Sequence, residues 1–276
     1  MNDAGPSVRM SGLATRARAY PWYALGIILS LVIWEVMARV LGPFRLPPLT
    51  LVANQFFPLL TESKILRFQG GGEQGYTPHL LHTVGYTLTA SGIGVVIGTS
   101  FGLAMARFPL LRALTVVPVE LLRTIPPLAA IPFILIWIGP GNSAQLLMVS
   151  YYVGVMMVVS TITAAANIEP ILPTYAATLG ASETRIFCTV ILPAMIPALV
   201  GGMRVAVGIA WGVQIVAELM GGQYGMGRVF SSMISFQALD AIVVGILWIA
   251  LAAAIVDLVL LSVIRRITRW MPTPQA

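Results

Sequence analysis

Apolar residues fall into six long blocks along the chain, at 21–41, 84–106, 114–138, 144–166, 197–220 and 241–264. A helix needs about 20 mostly apolar residues to cross the hydrocarbon core of a bilayer. Each block meets that length. The pattern predicts an all-α integral membrane protein with six transmembrane helices in one domain, residues 21–264. A segment at 1–20 precedes the domain and a tail at 265–276 follows it.

Two interruptions between the blocks are long. In residues 42–78, Leu51, Val52, Phe56, Leu59 and Leu60 recur at helical spacing, which predicts a helix lying on the membrane surface. The run from Gln69 to Gly75 that follows is rich in glycine and reads as a loop, because no Lys-Ser/Thr completes a phosphate cradle. The second interruption, residues 167–197, is too long for a tight turn. It has prolines at 170 and 173, a helix-prone run, Gly180, a second run led by Ser182, and a stop at Pro193. Ser182-Glu-Thr-Arg185 has the form of a capped helix start. Two short helices here would make a docking surface for a soluble partner.

Several blocks contain unusual residues. Gly94, Gly98 and Gly102 in the second block, and Gly208 and Gly212 in the fifth, are four apart. Small residues at this spacing let helices approach closely in lipid. The third block holds Pro126, Pro127 and Pro132, each lacking a backbone donor. Broken backbone at membrane depth either lines a wet path or is buried as a packing kink, and both readings stand. Glu120 and Arg123 neutralise each other across one helical turn, with an anion-attracting Arg123 as the alternative. In the fifth block Arg204, Trp211 and Glu218 are seven apart and share a face, with Gln214 beside them. At 1.5 Å per residue, Arg204 and Glu218 stand about 21 Å apart, so each needs a partner elsewhere. This stripe, with Arg123, Pro126 and Pro127, is the candidate translocation pathway or dimer-facing surface.

Composition supports the membrane assignment. Of 276 residues, 58% are hydrophobic and 9% charged, against about 25% charged in soluble domains. The net charge of +6 comes from basic residues flanking apolar blocks, which records orientation and argues against a nucleic-acid partner. Arg9, Arg16, Arg18, Arg107, Arg112, Arg185, Arg265, Arg266 and Arg269 fall on one side if six helices alternate. Arg45, Lys64, Arg67 and Arg228 fall on the other. Both termini are therefore expected in the cytoplasm. The first block is too long for a signal-peptide core and lacks a clear cleavage site, so it is read as retained. The lone Cys188 reads as a small buried apolar residue. His79 and His82 read as loop or interfacial residues, with no cysteine or carboxylate set to complete a metal site. The one lysine, Lys64, lacks the Gly-x4-Gly-Lys-Ser/Thr context of an ATP site, and no nucleophile–base set is present.

Residues 167–197 resemble the coupling loop of permease subunits in binding-protein-dependent ABC importers. That loop reads EAA, three residues, G, nine residues, I-x-L-P. Ala176, Gly180, Leu192 and Pro193 match, and Val190 replaces the isoleucine. Thr174 and Tyr175 replace the glutamate and the first alanine. Residues 46–52 (LPPLTLV), 123–141 (RTIPPLAAIPFILIWIGPG) and 201–227 (GGMRVAVGIAWGVQIVAELMGGQYGMG) are similar to the nitrate/sulfonate/taurine branch. The resemblance implies a type I importer permease in a bacterial inner membrane. It implies ATPase contacts at Thr174, Tyr175, Ala176, Gly180, Ala181, Ser182, Leu192 and Pro193. It further implies two ATP-binding subunits that hold ATP and Mg, no cofactor on this chain, and a second permease copy. A periplasmic or lipoprotein binding protein would deliver a small anion such as a sulfonate, nitrate or an organic acid. The alternative is a secondary transporter with Glu35, Glu218 and Asp257 carrying protons, which leaves the 167–197 loop without a role.

Overall fold

A computed structural model describes residues 7–68 and 75–267, with side chains described for 21–68 and 75–266. The side chains of Arg9, Arg16 and Arg18, most of the glycine-rich loop, and Arg269 with most of the tail lie outside the described residues. Every regular element among the described residues is helical. The chain runs α1 (Ser7–Leu41), α2 (Leu49–Phe56), α3 (Pro58–Thr61), α4 (Lys64–Phe68), α5 (Thr77–Arg107), α6 (Pro109–Thr124), α7 (Pro127–Ile138) and α8 (Asn142–Ala166). It continues α9 (Ile171–Thr178), α10 (Glu183–Ile186), a π-helical turn (Phe187–Ile191), α11 (Leu192–Gly221), α12 (Met226–Ser235) and α13 (Leu239–Ile267). Among the described residues five helices are long and apolar enough to cross a membrane, and α6 with α7 make a sixth if that bent pair is one span.

The centre of the bundle is α5 against α8, with α11 laid across them. The glycine spacing explains this pairing. A Cβ on Gly94 would stand 2.7 Å from the Ser150 carbonyl oxygen, and one on Gly102 would stand 2.6 Å from Thr161 Cβ. Gly98 abuts the Gly154 backbone in the same way. Ala90, Val149, Val153, Ala206 and Ala210 are fully buried around the crossing. Large apolar residues such as Ile28, Val96, Leu247 and Leu258 point outward and stay exposed. Apolar patches of that extent mark a surface that meets lipid or protein.

One end of the bundle carries residues 167–197 and is called the platform end. At the opposite, elbow end, α2, α4, α12 and α13 close over Tyr76, Met226, Val229 and Met233. The Tyr76 hydroxyl donates to the Ala241 carbonyl at 3.0 Å, and Trp248 donates to the Phe56 carbonyl at 2.8 Å. The apolar face of α2 is therefore spent on this cluster, which corrects the expected seat on the membrane surface. Of α1 from Pro21 onward, only Trp34, Glu35 and Ala38 are shielded. Trp34 donates to the Pro47 carbonyl, and Glu35 accepts the Leu49 amide, capping the start of α2.

Other expectations need correction. The third block is two helices meeting at 97°, with Ile125 and Pro126 extended between them. A residue before proline is pushed out of the α region, and Ile125 and Pro126 both precede one. Pro132 breaks nothing, since α7 runs through it. Pro193 likewise does not stop the chain, which is helical from Glu183 to Gly221. The π turn just before Pro193 spaces the backbone so that the helix absorbs the missing donor. Helix α5 begins at Thr77, seven residues before the predicted start at 84, so His79 and His82 are helical and face inward. Cys188 is exposed on the π turn. Gly208 and Gly212 meet nothing within 4 Å, so the packing expected of them is absent inside this chain.

Candidate functional site

The platform is built from local caps. Helix α9 ends at Gly180, whose φ of +78° is a left-handed conformation that glycine adopts without strain. The Gly180 amide donates to Ala177 at 2.9 Å and the Ala181 amide to Ala176 at 3.1 Å, the paired bonds of a Schellman ending. Two residues on, the Ser182 side chain accepts the Arg185 amide at 3.4 Å and starts α10. The spacing of Ala176, Gly180 and Ser182 thus records one stop and one start, which fixes the angle between two short helices.

What the platform displays is apolar. Leu179 is 87% exposed and Tyr175 63%, and Ile171 and Leu172 also stand free. Helix α9 carries no charged residue. Thr174 turns its hydroxyl back to the Pro170 carbonyl at 2.7 Å, so it offers no free acid or donor to a partner. Leu192 and Pro193 are half-buried at the start of α11. Arg107 at the end of α5 reaches Glu183 and Thr184, each at 3.5 Å, and ties the platform to the central pair.

The pathway candidates separate into three places. Arg123 pairs with Glu120 at 2.7 Å near the exposed break at Pro126 and half-buried Pro127. Arg204 holds Asp257 of α13 by two bonds of 2.8 and 3.1 Å, each side chain partly exposed. With Gly208 and Trp211 this pair lines a groove of about 300 Å³ between α11 and α13. Gln214 and Glu218 are fully buried at the elbow end. Arg204 and Glu218 each find a separate partner, as their separation requires.

The Glu218 carboxylate sits among donors. Thr83 Oγ1 lies 2.9 Å from both of its oxygens, Gln214 Nε2 donates at 2.8 Å and the Gly227 amide at 2.9 Å. Thr83 in turn accepts the Met226 amide at 2.9 Å. His79 Nδ1 accepts the Gly225 amide, and His82 Nδ1 lies 3.6 Å from Glu218 Oε1. Sequence reasoning missed the α5 half of this cluster. Its signal was His79, His82 and Thr83 at helical spacing just after Thr77-Pro78, where a proline suits a first helical turn.

Comparison with known proteins follows from this architecture. Residues 94–272 match the family described as binding-protein-dependent transport system inner membrane component. The chain is 30% identical to the taurine transport system permease protein of Escherichia coli (strain K12) over 242 residues, 87% of this chain and 86% of that protein. It is 28% identical to the nitrate import permease protein of Synechococcus elongatus, over 80% of each chain. Among solved structures, an inward-facing form of the MetNI methionine ABC transporter superposes with a TM-score of 0.57 at 18% identity. That match covers 68% of this chain and 94% of the other. An amino acid ABC transporter with histidines gives 0.57 at 16% identity, over 76% of this chain and 100% of the other. These last two likenesses are of fold.

Proposed function

Since the chain belongs to the family of binding-protein-dependent transport system inner membrane components, we infer that it forms the translocation path of an ATP-driven importer for a small anion. Taurine and nitrate, named for the systems of two similar proteins, support a substrate that is a sulfonate, nitrate or another small anion such as an organic acid. Two ATP-binding subunits dock on the platform and hold ATP and Mg, while this chain binds no cofactor and catalyses no reaction. A second permease copy completes the path, and a periplasmic or lipoprotein binding protein delivers the solute. The platform end faces the cytoplasm with both termini, in a bacterial inner membrane. Arg107, Arg185, Arg265 and Arg266 support this orientation, since basic residues collect on the cytoplasmic side.

The observation that carries the reading is the platform itself: capped, uncharged along α9, and exposing Leu179 and Tyr175 beyond the spans. Large apolar side chains left outside both lipid and core await a protein partner. Thr174, Tyr175, Ala176, Gly180, Ala181 and Ser182 form its contact edge, with Leu192 and Pro193 seating it on α11. Arg123, Pro126, Pro127, Arg204, Trp211, Gln214 and Glu218 remain the proposed pathway set. Arg204 and Trp211 are the members that border a groove open to the surface of the chain.

Reconstitution in vesicles with and without the ATPase tests the reading. Uptake that requires both ATPase and ATP is expected. Uptake driven by an ion gradient alone would establish a secondary transporter instead. In this structure Glu35, Glu218 and Asp257 are each engaged by hydrogen bonds to other elements, which does not favour that alternative.

A further inference from the structure

The groove between α11 and α13 holds a charged pair within two membrane-crossing helices. Arg204 lies about 18 Å along α11 from Leu192, at 1.5 Å per residue. Ion pairs are costly to desolvate, and charges inside spans mostly face a bundle interior or a wet cavity. This pair is not sealed in. The Arg204 side chain is 40% exposed and that of Asp257 44%. A pair that only locked α11 to α13 would need no such opening.

The contact leaves part of the guanidinium free. Asp257 is held by Nε at 3.1 Å and by Nη2 at 2.8 Å. An arginine has five N–H groups in one plane, and they make two forks that each fit a pair of oxygens. The second fork, Nη1 with the other Nη2 hydrogen, has no partner among the described residues. Trp211 borders the same groove, and its indole N–H is also unpartnered among them. The other residues that line the groove carry no charge, and Gly208, Ala253 and Ala254 keep its walls smooth. Its volume of about 300 Å³ is at the small end for a ligand pocket, which suits a small solute.

We propose that the free fork of Arg204 holds the oxyanion group of the solute as it crosses, and that Asp257 is a positioning residue that steadies this fork and weakens its grip. Sulfonate, nitrate and carboxylate each present two oxygens that a guanidinium fork matches. Asp257 contributes in two ways. Its two bonds fix the guanidinium plane, so little freedom is lost when the anion arrives. Its negative charge cancels that of Arg204, so the anion meets hydrogen-bond donors with no net charge behind them. A transport site must bind well enough to admit its cargo and loosely enough to release it. An arginine alone in this apolar groove would keep the anion too long.

The proposal rests on the importer reading, and the test keeps the two apart. The permease with its ATPase, in lipid nanodiscs and without binding protein, is melted in rising taurine, nitrate or benzoate, against sodium chloride at matched ionic strength. At least one of the three is expected to raise the melting temperature, with a half-effect concentration in the millimolar range. Asp257→Asn, whose amide oxygen still accepts from Arg204, is expected to lower that concentration roughly tenfold. Arg204→Lys, which keeps the charge and loses the fork, is expected to raise it roughly tenfold. In vesicles with binding protein and ATP, Asp257→Asn should slow turnover several-fold without raising KM, as slower release does. A purely structural pair would weaken both variants alike and leave the half-effect concentration where it was. The proposal is overturned if none of the three anions shifts the parent, if Arg204→Lys keeps the parent's value, or if Asp257→Asn binds no more tightly than the parent. Should one variant fail to assemble, the other decides. Solute uptake by the parent without ATPase or ATP would refute the importer reading, whereas the anion contrast would still judge the groove.

Discussion

Replacing Gly180 separates backbone geometry from side-chain bulk at the platform. A Cβ built on Gly180 meets no atom within 4 Å, so the first carbon of a larger side chain clashes with nothing among the described residues. The two bonds that end α9 use backbone groups only and survive substitution. What remains is the left-handed φ of +78°, which costs a residue with a Cβ about 1–2 kcal/mol. If the ATPase binds only the α9–α10 turn as folded, its affinity falls by up to the same energy, roughly 5- to 30-fold. Gly180→Val should show this loss in full, while Gly180→Asn, which tolerates the conformation, should recover most of it. Titration of purified ATPase onto the permease in lipid nanodiscs measures both. Equal losses for Asn and Val would refute the reasoning, because bulk at the interface and not backbone strain would then control docking. Wild-type binding by Val would refute the role of the α9–α10 turn altogether.

Three further outcomes follow from packing and charge. Leu179→Ser should weaken ATPase binding about tenfold, the worth of one buried leucine at an interface, yet leave the melting temperature unchanged because Leu179 is 87% exposed in the free chain. Gly98→Val should destabilise the α5–α8 crossing by about 3 kcal/mol or prevent accumulation. Gly212→Ala, facing open space, should melt with the parent in the isolated protomer. Arg204→Ala should lower the level of folded protein in the membrane by leaving Asp257 unpaired, and the exchanged pair Arg204→Asp with Asp257→Arg should restore it, as read by fluorescence-detected gel filtration.

Features set by neighbours in sequence were legible before the structure. Gly180 and Ser182 act through bonds spanning at most five residues, so their spacing reveals them. The Glu120–Arg123 pair is of the same local kind. The break in the third block was visible as Pro126-Pro127, but not its angle, which depends on what α6 and α7 pack against. Glycine spacing was an uneven guide. Gly94, Gly98 and Gly102 meet α8, whereas Gly208 and Gly212 share the spacing and meet nothing in this chain. A periodic stripe states that a face is smooth and does not name the surface that covers it. The Glu218 cluster was half legible, because an acid in an apolar block calls for partners. Its donors Thr83 and Gly227 are 135 and 9 residues away, and no short-range rule selects Thr83. Pro193 misled because a helix can widen by one residue per turn and pass it.

The unbroken helix from Glu183 to Gly221 has a mechanical consequence. Its 39 residues span about 58 Å at 1.5 Å each. One end carries the proposed docking surface and the other holds the buried Glu218 carboxylate, so both are ends of a single beam. A tilt of about 5° at the platform would move the far end by roughly 5 Å with no dihedral changing along the way. The wider turn at Phe187–Ile191 lies close to the platform and is the softest section of that beam. Bending strain would gather there, next to the proposed docking surface, and the long section beyond would travel as a rigid rod.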